Sequence, residues 1–228
     1  MCHGGWCFDQ LTDQLHRHGH RVIPLTLTGI AERRHLRHTL VNLDTHIQDV
    51  TAVLEAENIR NAVLVGHSYG GMVITGAAGR APDRVSSLVY VDAMVPGHGD
   101  SCFDLVSDRE RQWYLDVDDT GAAVLPLPFF DPRTTPHPLA ALLQPLKLAT
   151  DLAHIRRRTY VYAAGWETPS PFTPVYERLC RDADWSTHAL DGGHNLMRDA
   201  PDDLLRILLD LTTTELERPE PSTEPAPN

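Results

Sequence analysis

The pentapeptide Gly66-His67-Ser68-Tyr69-Gly70 constrains this chain more than any other stretch. It follows Ala62-Val63-Leu64-Val65, a continuous apolar run of strand length, and it opens a helical pattern over 70–80 that stops before Pro82. Such a run is what a strand covered on both faces requires. A strand that feeds a helix commits the chain to a crossover, and a crossover returns as a parallel strand. The turn between them is sharp, so Gly66 and Gly70 are both expected to lack side chains because neighbouring backbone passes close. A turn of this kind lifts the Ser68 hydroxyl clear of the sheet. It also sets that hydroxyl beside the N–H groups of a helix N-terminus, where negative charge is stabilised. The plainer alternative is a glycine-rich turn with an incidental serine. The strand before it, the helix after it and a histidine downstream weigh against that.

The remaining pattern alternates in the same way. Leu88-Val89-Tyr90-Val91 and Tyr160-Val161-Tyr162-Ala163-Ala164 are expected to be buried strands, Thr187 to Leu190 a weaker one, and Arg21-Val22-Ile23-Pro24-Leu25 a short one. Helices are expected over 8–18, ending near Gly19, and over 43–56, where Leu43, Ile47, Val50, Val53 and Leu54 share a face. The last helix starts near Pro201, with Asp202 and Asp203 at its positive end, and runs through Leu204, Leu205, Ile207, Leu208 and Leu211. The fold class is therefore α/β, a mostly parallel sheet flanked by helices. Residues 97–157, including the proline-rich 125–138, interrupt the alternation. The stretch 215–228 holds four Pro and four Glu and is expected to be a disordered tail. The division is a core of 1–96 and 158–214, an insertion over 97–157, and that tail.

Composition narrows the function classes. The chain of 228 residues suits one α/β domain or two small ones, and its 42% hydrophobic residues supply a core. Twenty basic residues against 31 acidic ones give a net charge of −11. The densest basic runs are only Arg33-Arg34 and Arg156-Arg157-Arg158, which argues against a nucleic-acid partner. No apolar stretch approaches ~20 residues, so no membrane-spanning helix is expected. The opening MCHGGWCFDQ has no basic region followed by an apolar one, as a secretory signal would. Cys2, Cys7, Cys102 and Cys180 show no metal-like pairing and read as reduced thiols of a cytoplasmic protein. His3, His16, His18, His20, His35 and His38 crowd the first quarter without ligand spacing and read as solvated surface; no metal or cofactor is expected.

A serine hydroxyl needs an adjacent base. Among thirteen histidines, His194 is singled out by position: Asp191-Gly192-Gly193-His194 follows the last expected strand, at the sheet edge where Ser68 also lies. His67 is adjacent to Ser68 in sequence, and neighbours on such a turn point apart, so it is not the expected base. A carboxylate must orient the imidazole. Asp92 ends the strand Leu88–Val91 and Glu167 follows the strand Tyr160–Ala164; both remain open, with Asp92 favoured.

These residues resemble the α/β-hydrolase superfamily, and within it the small esterase branch that includes plant salicylate-type methylesterases, hydroxynitrile lyases and bacterial relatives. CHGGWCFDQL, GHRVIPLTLTG, LVGHSYGGMV, VYVDAMVP and GGHNLMRDAP carry the resemblance over most of 2–97 and 158–211. It implies Ser68 as nucleophile, His194 as base, and the Tyr69 N–H with a donor near Met1 or Cys2 as oxyanion donors. It also implies a cap over 97–157, whose Trp113, Tyr114, Leu127, Phe129, Phe130, Leu139, Leu142, Leu143 and Leu146 would line a substrate pocket or pack the cap down. The esterase branch usually carries an aspartate after the next strand, where this chain reads AAGWETPSPF; Asp92 matches the position that haloalkane dehalogenases use. Asn195 stands where hydroxynitrile lyases have a lysine, which disfavours cyanide chemistry, and Ser68 disfavours dehalogenation. The resemblance further expects a strand and a His-Gly upstream of CHGGW, so the natural protein is expected to be longer. The implied function is hydrolysis of a small to medium apolar ester, lactone or thioester through an acyl-enzyme. A lyase or cyclase on the same fold, or a non-catalytic small-molecule-binding protein, are the alternatives.

Overall fold

The computed structural model describes residues 1–37, 40–155, 157–166 and 170–216. In chain order the elements are α1 (Asp9–Arg17), α2 (Leu43–Ala56), β1 (Ala62–His67), α3 (Gly70–Arg80) and β2 (Val85–Val91). The intervening segment adds α4 (Asp108–Tyr114), β3 (Ala123–Val124), β4 (His137–Pro138) and α5 (Leu139–Leu143). Then come β5 (Arg157–Ala163), α6 (Thr173–Leu179), β6 (Trp185–Leu190), α7 (Leu196–Asp199) and α8 (Pro201–Leu216). Short 3-10 turns cover Gly5–Phe8 and Ala31–Leu36.

The main sheet has the order β1-β2-β5-β6, and every neighbouring pair is parallel. Parallel strands carry their C-terminal ends to one edge, so Ser68, Asp92 and the loops after β5 and β6 all emerge together. Alternation along β2 divides the core. Val89 and Val91 join Val161, Leu204 and Leu208 under α1 and α8. Leu88 and Tyr90 join Tyr160, Leu54, Ile74 and Ala78 under α2 and α3. Covering both faces in this way is what a parallel sheet requires. A third cluster ties α2 and α3 to the intervening segment through Ile47, Met72, Cys102, Tyr114, Val124, Leu142 and Leu146.

Local sequence explains the helix limits. Asn42 Oδ1 accepts from the Thr45 N–H and Thr45 Oγ1 accepts from the Asn42 N–H, a reciprocal cap that starts α2. Pro201 opens α8, with Asp202 and Asp203 in its first turn.

Three expectations need correction. Residues 21–25 form no strand: Arg21, Ile23 and Pro24 are exposed, and strand pairing is a long-range matter that the local pattern cannot supply. β1 pairs with β2 and with no second strand among the described residues, so Val63 and Val65 on one face and Leu64 on the other pack on the core clusters yet stay only half-buried. α8 continues through Glu215 and Leu216, the expected start of the tail; the rest of that stretch, 217–228, lies outside the described residues, as do His38, Arg156 and Glu167. Among the described residues no helix is long and apolar enough to cross a membrane.

Candidate active site

The turn after β1 holds Ser68 at φ 56°, a left-handed conformation rare for a side chain other than glycine. Its close approaches are specific. A Cβ on Gly66 would sit 2.6 Å from the Gly70 carbonyl oxygen, and one on Gly71 would sit 1.9 Å from the Met94 carbonyl oxygen. Gly70 meets nothing within 4 Å, so the second obligatory glycine is Gly71 and not Gly70. The crowding at Gly71 comes from the loop after β2, whose Met94 N–H donates to the Ser68 carbonyl at 3.2 Å. Ser68 itself is nearly buried, and the Tyr69 N–H at the start of α3 takes no acceptor among the described residues.

Asp92 directly follows β2, with φ 40° and no exposed surface. Aspartate tolerates that conformation better than most residues. Its N–H donates to the Val161 carbonyl at 2.7 Å, which fixes the backbone. The carboxylate collects three donors: Ala163 N–H on Oδ1 at 3.2 Å, His194 Nδ1–H on Oδ2 at 2.7 Å, and the Trp166 indole N–H on Oδ2 at 3.1 Å. With Nδ1–H given to Asp92, Nε2 is the His194 nitrogen left to a reacting hydroxyl. Phe172 stacks on that ring at 5.5 Å and 10°. Asp92 is thus the carboxylate that meets His194.

His67 was not expected to act as the base, and its ring has another partner. Nε2–H donates to the His194 carbonyl at 2.8 Å, and the two rings lie 4.4 Å apart. Burial holds His67 well below the ordinary histidine range, so it stays neutral and braces the His194 loop. Nothing in the local sequence signals that bracing, which joins residues 127 apart.

A second polar group lies on the far side of the turn. His46 Nε2–H donates to the Thr28 carbonyl at 2.9 Å, which leaves Nδ1 to accept from the Tyr69 hydroxyl at 2.9 Å. Burial lowers His46 to about 4, consistent with the neutral tautomer this requires. His137 packs edge-on to Tyr69 at 4.7 Å, and its Nδ1 accepts the Cys2 N–H at 3.4 Å. That Cys2 N–H is therefore committed to His137 rather than to a substrate oxygen. Met1 is half-buried against the cluster that contains Tyr69, and its carbonyl accepts from His3 Nδ1 at 2.9 Å. His3 is not solvated surface: it is half-buried between Trp6 and Phe130, and burial lowers it to about 4.

A cavity of about 300 Å³ lies beside Phe172, lined also by Met94, Val95, Leu105, Pro174, Val175 and Arg178. None of the nine cap residues named from the sequence lines it. Tyr114, Leu142 and Leu146 are buried packing, while Phe129 and Leu143 are exposed. Among the described residues no group of three or more His, Cys, Asp or Glu is placed to hold a metal ion.

Residues 1–207 match the model of the alpha/beta hydrolase family. The chain belongs to that family. A carbendazim hydrolyzing esterase from Nocardioides sp. (strain SG-4G) is 36% identical over 228 residues, spanning 90% of this chain and 94% of that one. Salicylic acid-binding protein 2 of Nicotiana tabacum is 31% identical over 167 residues, 68% of this chain and 63% of that one. Among solved structures, a pyrethroid hydrolase from Sphingobium faniae JZ-2 superposes with a TM-score of 0.73 at 19% identity, over 94% of this chain and 95% of that one. This alpha/beta hydrolase is accordingly an enzyme of the hydrolase class, with esterases among its relatives.

Proposed function

We propose that this hydrolase cleaves carboxylic esters of small to medium apolar substrates through an acyl-enzyme on Ser68. The observation that carries the reading is the pairing of His194 Nδ1 with a fully buried Asp92 at 2.7 Å, at the sheet edge where Ser68 occupies a strained turn. Ser68 Oγ attacks the carbonyl carbon while His194 Nε2 takes its proton. Asp92 orients the ring and stabilises the imidazolium. The Tyr69 N–H and a donor near Met1 receive the carbonyl oxygen as it gains charge. His194 then passes its proton to the leaving alcohol, and water, activated by the same nitrogen, releases the acid.

Residues 97–157 serve as the cap. The cavity beside Phe172, apolar except for Arg178 among its lining residues, suits a largely apolar acyl or alcohol group. The most extensive relative named above is a carbendazim hydrolyzing esterase, so carbendazim belongs in the first substrate panel with p-nitrophenyl butyrate. The decisive test is incubation of the purified chain and its Ser68→Ala variant with a fluorophosphonate, read by intact mass. A single adduct that disappears in the variant supports the reading. A folded chain that takes no adduct and hydrolyses neither ester overturns it.

A further inference from the structure

We infer that Trp166 is a positioning residue for the acid of the site: its indole N–H fixes the Asp92 carboxylate against which His194 is oriented. This rests on the reading of Ser68, His194 and Asp92 as a catalytic group.

A carboxylate can orient an imidazole only if something other than that imidazole holds the carboxylate. The Ala163 N–H engages Oδ1 alone. Oδ2, the oxygen that receives His194, has one further donor among the described residues, the Trp166 indole N–H at 3.1 Å. Asp92 is 0% exposed, so no solvent contact replaces a donor that is lost. A hydrogen bond from a fixed donor to a charged acceptor is among the stronger ones in a protein.

Trp166 is itself held. The β5–β6 ladder continues past the strand ends: Ala164 N–H donates to the Leu190 carbonyl at 2.8 Å and Gly165 N–H to the Gly192 carbonyl at 2.9 Å. These bonds tie the loop that carries Trp166 to the loop that carries His194. The indole then packs on the cluster formed by β2, β5 and α8, with its ring 5.3 Å from that of His194. Backbone pairing therefore sets the spacing of three side chains that must act together.

The test is a double-mutant cycle on kcat and KM for p-nitrophenyl butyrate, with Trp166→Phe, Asp92→Asn and the pair, each checked for folding by thermal melting. Trp166→Phe keeps a ring of similar character and removes the N–H. It is expected to lower kcat roughly tenfold with KM unchanged, the signature of an interaction that acts in the transition state. In the Asp92→Asn background the same change is expected to cost little, because the group it positions is gone. An equal loss in both backgrounds, or a loss confined to KM, means that the ring only packs, and overturns the inference. If Asp92→Asn alone keeps wild-type kcat, the reading of the catalytic group fails first, and this inference with it. Should Trp166→Phe not fold, indole ¹⁵N–¹H spectra of the unmutated chain and of Asp92→Asn decide instead. One of the four indole signals must move upfield when the carboxylate is lost, and four unmoved signals refute the contact.

Discussion

Replacing Asp92 by asparagine changes almost no volume, so its effects isolate charge and hydrogen-bond direction. The carboxylate receives His194 Nδ1–H, Trp166 Nε1–H and Ala163 N–H, all within 3.2 Å. An amide offers one acceptor oxygen and one NH₂. If the oxygen faces His194 and Trp166, the NH₂ meets the Ala163 N–H, donor against donor, in a site with no solvent access. If the amide is flipped, its NH₂ faces the indole N–H, and His194 must accept at Nδ1. The ring then carries its proton on Nε2, the nitrogen that has to accept the serine proton. Either way the negative charge that favours the imidazolium is gone, a contribution of roughly 4 kcal/mol for a pair near 4 Å at an effective dielectric of 20. Charge and tautomer together predict a fall in kcat of about 10⁴, equivalent to about 5.5 kcal/mol of barrier. The unpaired donor adds about 1–3 kcal/mol of lost stability, a drop of several degrees in Tm. Hydrolysis of p-nitrophenyl butyrate and a thermal melt of the same sample measure both quantities. A folded Asp92→Asn chain that retains more than a tenth of the wild-type kcat refutes the reasoning.

Three further outcomes follow from the geometry of the turn and from the buried His46 on α2. Gly71→Ala places a Cβ 1.9 Å from the Met94 carbonyl oxygen, a backbone atom that cannot step aside alone; a loss of about 3 kcal/mol or more in urea unfolding is expected. Gly70→Ala meets open space and is expected to stay within about 1 kcal/mol of wild type. Burial lowers His46 from 6.5 to about 4, so between those values the unfolded chain binds the proton and the folded chain does not. The associated stability is complete above about 6.5 and is lost as pH falls toward 4, a span of about 3 kcal/mol. His46→Gln should therefore flatten the pH dependence of urea unfolding across that window by about one proton. His3, His67 and His137, lowered in the same direction, keep the rest of the slope. An unchanged slope in His46→Gln would exclude the buried neutral imidazole.

The elements that local sequence specifies are the ones that could be read from it. Helices over 43–56 and 70–80 occur with those limits because caps, proline stops and a repeating apolar face are all encoded within one turn or two. The 21–25 segment has strand-like residues and no strand, because a strand exists only by pairing, and its partner is not a local property. The same difference explains the cap. Leu142 and Phe129 are both apolar, yet one is fully buried and the other largely exposed, and nothing in their own neighbourhood says which.

At the site, position along the strands was enough to bring Ser68, Asp92 and His194 to one edge, since parallel strands end together. Direction was not. That Asp92 faces the histidine depends on the backbone turning left-handed at Asp92, and on donors from β5 and from the loop after it. The departure at AAGWETPSPF was visible in the sequence as a missing aspartate. Its physical meaning is that the loop after β5 contributes an N–H donor where the resemblance led one to expect an acid. A carboxylate and an indole can share the work of holding an imidazole only when both backbones are fixed relative to it. That fixing comes from the Asp92 N–H on Val161 and from the ladder bonds of Ala164 and Gly165. The chemistry of this edge is therefore set by main-chain hydrogen bonds between loops at least as much as by the identities of the side chains that display it.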